Sequence, residues 1–278
     1  HLGATGRIGN LEIKNRLVMT AMGVGVGEFE GYATDEFIKY YTERAKGGAG
    51  LIITEVTRVN EEHGICEHNQ LSLAKDETIP SFKKLADSVH QYGTKIFAQL
   101  HHPGREAHLA LNTKVTELVS SSPFPSAIAP EPTRALTTEE VEGLVKDFAA
   151  AAVRAQKAGM DGVEIHAGHG YLIHQFLSGN DNYRTDKYGG SLENRMRFLI
   201  EIITAIREAC GKDFPISVRL SSSEFLDAVG ILKGTTLAES IPTAVACEKA
   251  GANLINVSSG THLTGNTIVE PTSAPQGW

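Results

Sequence analysis

The sequence predicts an α/β fold, a (β/α)8 TIM barrel of which the chain covers about the first six β/α units. Short apolar runs alternate with amphipathic helical stretches along the whole length. The runs read as apolar throughout, as do strands of a parallel sheet covered on both faces. Polar side chains gather where the runs end: Thr20, Glu55, Gln99 with His101 and His102, then His166, His169 and Tyr171, then Arg219. The first two observations suit a doubly wound sheet as well as a barrel. The third favours the barrel, whose strand ends converge on one face to build a site. No G-x-G-x-x-G follows any strand, and Gly23-Val24-Gly25-Val26-Gly27 has the wrong spacing, so it reads as a flexible turn.

After a polar lead-in holding Gly6, Gly9 and Asn10, Leu17-Val18-Met19 is the first strand. A helix from about Asp35 places Phe37, Ile38, Tyr41 and Ala45 on one face and stops at Gly47-Gly48. Strand two is 50–53; the helix after Pro80 carries Phe82, Leu85, Ala86 and Val89; strand three is 95–100. Residues 101–136 are rich in Pro and Ser without a period, which predicts a long and therefore functional loop. Thr137 and Glu140 form a candidate capping box for a helix that Gly159 ends. Strand four, 162–165, is followed by a helix over 193–209, strand five at 215–220, a helix over 236–250 and strand six at 254–257. An open arc of six strands exposes two edges and half a core, so strands seven and eight are expected in the protein beyond Trp278, past the turn-like end at 275–278.

A net charge of -7 on 278 residues argues against a nucleic-acid surface. Cys66, Cys210 and Cys247 lie far apart without C-x-x-C spacing, which fits a reducing compartment and a cytoplasmic protein. No apolar run reaches the length of a membrane span, and no signal peptide opens the chain. A small-molecule partner is expected, and homo-oligomerisation is left open.

The centre of the reading is the segment 161–198. Its apolar run Gly162-Val163-Glu164-Ile165 delivers His166, His169 and Tyr171 at its carboxyl end. Three hydrogen-bond donors there suit a substrate oxygen that gains negative charge. A zinc site built on His166, His169 and a carboxylate is an alternative, although the spacing is not that of H-E-x-x-H. A barrel that has lost catalysis and serves as a binding subunit is another.

Four motifs taken together resemble the old yellow enzyme family of FMN-dependent oxidoreductases. They are Asn15-Arg16-Leu17-Val18-Met19, the run 99–105 (QLHHPGR), the run 166–177 and the run 184–195 (RTDKYGGSLENR). The branch most similar holds 2,4-dienoyl-CoA reductase, clostridial enoate reductases, bile-acid dienoyl reductases and trimethylamine dehydrogenase. The resemblance implies flavin contacts at Thr20, Ala21, Met22 and Gly23, at Gln99 and His166, and at Arg219 beside flavin N1 and O2. Glu55 is counted with this set, at a position where many relatives carry a small residue. His166 and His169 resemble the pair that holds the substrate carbonyl, with His262 as a further substrate contact, and Tyr171 resembles the acid that protonates the α-carbon.

The resemblance therefore implies NAD(P)H-driven reduction of a C=C bond conjugated to a carbonyl, acid or CoA thioester, with amine oxidation as the alternative within the family. It also implies an FMN phosphate site after strands seven and eight, and larger relatives add a [4Fe–4S] cluster and an FAD/NAD(P)H domain. His101, His102 and His174 are expected to be supporting groups, and Arg105, Arg184, Asp186 and Arg195 to pin loops by ion pairs.

Overall fold

Alternate residues of the strands face two different interiors. In the computed structural model, which describes residues 1–107, 115–126 and 131–268 (backbone only at 266 and 267), a hairpin of β1 (Gly6–Ile8) and β2 (Leu11–Ile13) comes first. Next are β3 (Val18–Met19), α1 (Asp35–Lys46), β4 (Leu51–Arg58), β5 (Leu71–Ser72), α2 (Ile79–His90) and β6 (Lys95–His101). After them come β7 (Leu118–Ser120), β8 (Thr133–Ala135), α3 (Thr138–Lys157), β9 (Gly162–Ala167), α4 (Leu172–Leu177), α5 (Leu192–Cys210), β10 (Ile216–Ser221), α6 (Leu237–Ala250) and β11 (Leu254–Ser258). The turn-like end expected at 275–278 and parts of the 101–136 stretch lie outside the described residues.

The main sheet is parallel, in the order β11-β10-β9-β6-β4-β3, with β5 added to β4. On its helix-covered side Ile52, Ile96, Val163 and Val218 join the large core with Phe82, Phe148 and Phe198. On its other side Leu51, Ile53 and Phe97 pack with Ile8 and Ile13 of the hairpin, which closes the bottom of the lumen. Higher on this inner face stand Gln99, Glu164, His166 and Arg219, so the strands are not apolar throughout as expected. They alternate at their carboxyl halves, where the lumen turns polar. Every strand also runs one or more residues further than expected, apart from β3, which places His101 and His166 inside strands.

Strand β4 extends to Arg58 through a bulge between Ile53 and Val56. The extra residue lets Val56 continue the inner face, as bulges do when they re-aim side chains. The expected capping box is present: the Thr137 hydroxyl accepts from the Glu140 N–H, and the Glu140 carboxylate accepts from the Thr137 N–H.

The polar lead-in is in fact the β1–β2 hairpin, turned by Gly9 at φ 57°. Residues 101–136, expected as loop, contain a 3-10 turn at Gly104–Glu106 and the parallel pair β7–β8. The 3-10 turn is seated by Gly104, at φ 63°, where an added Cβ would overlap the Gln175 side chain. Arg105 pairs with Glu106 (3.0 Å) and Asp181 (2.6 Å), Arg184 with Asp186 (2.5 Å) and Arg195 with Glu239 (2.5 Å). These pins were expected, and the structure supplies their partners.

Candidate active site

At the carboxyl end of the sheet a cavity of about 510 Å³ is lined by Val18 to Gly23, Val56, Gln99, His166, His169, Tyr171, Arg219 and Ile268. Its size lies in the range of small-molecule and cofactor sites. All but two of the residues that the sequence assigned to the site come together here. Glu55 and His262 stand outside the lining.

The Glu55 carboxylate accepts from the N–H groups of Val24 (2.5 Å) and Gly25 (3.4 Å). It anchors the segment after β3 from behind. Burial raises its pKa from 4.5 to about 7, with the two N–H groups opposing the shift.

Gln99 and Arg219 form the floor. The Gln99 Nε2 donates to Glu164 Oε1 at 2.8 Å. With Nε2 donating there, Gln99 Oε1 makes no hydrogen bond to any described residue; burial pushes the Glu164 pKa up, opposed by the hydrogen bonds it accepts. Ser217 and Asn256 donate to the other Glu164 oxygen at 2.8 and 3.0 Å. Arg219 Nη1 donates to the Ala21 carbonyl at 2.8 Å, tying β10 to the segment after β3, while its buried Nε has no partner among the described residues. A buried guanidinium N–H without an acceptor is an invitation to a ligand.

The wall is a cluster of rings. Edge-on contacts to Tyr171 come from His101 at 4.4 Å between centroids, His166 at 5.0 Å and His262 at 5.0 Å. His262 therefore meets the site only through Tyr171, from outside the lining. The Tyr171 hydroxyl makes no hydrogen bond to any described residue. Burial, followed by Cys66, Glu67 and Glu106, raises its pKa above the ordinary value, so it stays protonated.

His166 is well below its ordinary pKa, from burial first and then from His169 and His101; burial and the Arg219 charge bring His169 down to about 3. Both imidazoles are neutral. The Gly168 N–H donates to His166 Nδ1 at 3.3 Å, which leaves the proton on Nε2, and that nitrogen lies 3.3 Å from His169 Nδ1. His169 has φ 61°, a conformation side chains seldom adopt; its N–H donates to the Ser221 hydroxyl at 3.0 Å.

His101 accepts from Gln70 Nε2 (3.2 Å), whose Oε1 is taken by the Cys66 N–H. His174 accepts from the Gly170 N–H at 2.8 Å, and the Gly104 N–H donates to His102 at 3.1 Å. These three, expected to be supporting groups, are buried outside the cavity lining. Sequence reasoning missed Glu164, Gln175, Ser221 and Ser258. A carboxylate inside an apolar run was a visible signal for Glu164; the serines carried none.

Among the described residues no three His, Cys, Asp or Glu side chains are placed to hold a metal ion, and no helix is long and apolar enough to cross a membrane.

The model of the NADH:flavin oxidoreductase / NADH oxidase family matches residues 6–276. The chain is 44% identical over its full length to the NADH oxidase of Thermoanaerobacter brockii, covering 42% of that protein. It is 41% identical to the cinnamate reductase of Clostridium sporogenes, over 92% of this chain and 41% of that one. Among solved structures, a 2-naphthoyl-CoA reductase in complex with 2-naphthoyl-CoA superposes with a TM-score of 0.87 at 35% identity, over 94% of this chain and 41% of that one. The chain thus spans about two fifths of the length of these relatives.

Proposed function

The chain belongs to the NADH:flavin oxidoreductase / NADH oxidase family, the old yellow enzyme family that its motifs resemble, and on that premise we propose that its protein reduces activated C=C bonds with FMN and NAD(P)H. The substrate class is an α,β-unsaturated carbonyl, acid or CoA thioester. The observation that carries this reading is the wall of two neutral imidazoles beside a protonated, unpartnered Tyr171 hydroxyl, over a floor of Gln99 and Arg219.

The residues present suit FMN. The free Gln99 Oε1 offers an acceptor to a ring N–H, and the partnerless Arg219 Nε offers a donor and a positive charge. The backbone of Thr20 to Gly23 would flank the ring. Bound there, the flavin would supply the hydride. Everything else falls to side chains. As the β-carbon of the alkene is reduced, negative charge moves to the carbonyl oxygen, where His166 and His169 would donate; losing one such donor costs about 3 kcal/mol of barrier. Tyr171 would then give its proton to the α-carbon.

The protein is proposed to be cytoplasmic, in keeping with three unpaired cysteines. Two further β/α units are proposed to complete the barrel, supported by the open edges at β3 and β11; the relatives' greater lengths leave room for [4Fe–4S] and FAD domains. Anaerobic assay of the FMN-loaded full-length protein with NADH, against cinnamate and against trimethylamine, tests the reaction class. Turnover of the alkene is expected; oxidation of the amine alone would overturn the proposal.

A further inference from the structure

Neutral imidazole has one N–H, and His169 has a neighbour on each nitrogen. Nδ1 faces His166 Nε2 at 3.3 Å, and Nε2 faces the Ser258 hydroxyl at 2.6 Å. His166 carries its proton on Nε2, because its Nδ1 accepts from Gly168. With these neighbours, then, His166 donates to His169 Nδ1, and His169 donates through Nε2 to Ser258. In this arrangement His169 has nothing to offer a substrate oxygen.

Two donors converge on one oxygen only when the proton of His169 sits on Nδ1. Two N–H groups facing each other across 3.3 Å repel unless an acceptor lies against both. Nε2 then becomes a bare lone pair and needs a donor. Ser258 is the group in reach, and its hydroxyl hydrogen has no competing acceptor among the described residues. Ser221, its register partner across β10 and β11, is different: that hydroxyl donates to the Gly260 carbonyl (3.2 Å) and accepts the His169 N–H, so its direction is fixed. One serine holds the backbone of His169, and the other attends its ring.

We propose that Ser258 is a positioning residue of the oxyanion site, whose hydroxyl turns from accepting to donating at His169 Nε2 and so makes Nδ1 a donor when an anionic oxygen arrives. One proton stays on the imidazole throughout; it changes nitrogen, and the serine hydrogen fills the place it leaves. The proposal rests on the oxyanion role given above to His166 and His169. Its ligand class is an enolate-like or phenolate oxygen.

The test uses FMN-loaded full-length protein with 15N-labelled histidine, titrated with 4-cyanophenol as an unreactive phenolate. The His169 resonances, assigned by their loss in His169→Gln, report which nitrogen is protonated. Wild type is expected to show the proton on Nε2 when free and on Nδ1 when loaded. Ser258→Ala should lose the exchange and bind the phenolate about tenfold more weakly, and Ser258→Thr should restore both. An unchanged exchange and affinity in Ser258→Ala would overturn the relay alone. Failure of the phenolate to bind wild type at all would overturn the oxyanion reading and the relay with it.

Discussion

Glu55 carries its charge in a place that penalises it. Its pKa is raised from 4.5 to about 7, chiefly by burial, so the protonated form is the one that folding favours. The stabilising contribution is therefore complete below pH 4.5 and is lost as pH rises through about 7. Glu55→Gln keeps an acceptor for the Val24 and Gly25 N–H groups without the charge. Thermal melts should show the variant level with wild type at pH 5 and higher by roughly 2–6 °C at pH 8. Equal loss at both pH values would show instead that the ionised carboxylate is what holds the segment after β3. The sequence placed Glu55 beside the flavin because it stands at a strand end. What it could not reveal is the bulge between Ile53 and Val56, since a bulge depends on the partner strand. Gln99, His166, His169 and Tyr171 were legible as donors inside the matched motifs, and Arg219 as a cation at a strand end outside them.

At the level of elements, α4 shows what short segments hide. It has six residues, too few for a helical period to stand out, yet Gln175 on it fastens the turn between His169 and Tyr171. Gln175 Nε2 donates to the Gly170 and Pro103 carbonyls (2.7 and 3.2 Å), and its Oε1 accepts from the Ser120 hydroxyl at 2.7 Å. Gln175→Ala would strand these buried groups. Denaturant melts should lose about 2–4 kcal/mol, and alkene reduction should fall more than flavin reduction does. A variant with wild-type stability would show that the turn is held by other contacts. The same physics explains the uneven legibility of the fold. Long helices with capping signals, such as α3, could be read from the sequence. The three-residue strands β7 and β8 could not, because only long-range pairing makes them strands. The β1–β2 hairpin did leave a trace, a Gly-Asn pair between Ile8 and Leu11, which the polar setting obscured.

At the scale of the molecule, the sheet is open at β3 and β11 among the described residues. Apolar side chains stand exposed at both ends: Leu17 and Val18 at one, and Leu237, Ile241, Val245 and Val257 at the other. Six strands instead of eight were countable in the sequence, and the proposed further units would cover these faces. The cavity and its ring cluster lie in the part of the lumen that the described strands enclose. The division of labour proposed for that site is the central claim: the floor would serve the flavin, and the wall the alkene. Stopped-flow absorbance of the FMN-loaded full-length protein, comparing wild type with Tyr171→Phe, tests it most directly. Flavin reduction by NAD(P)H should proceed at the wild-type rate, while reoxidation by the alkene should slow by about 10²-fold or more. Unchanged reoxidation, or equal slowing of both half-reactions, would contradict the account.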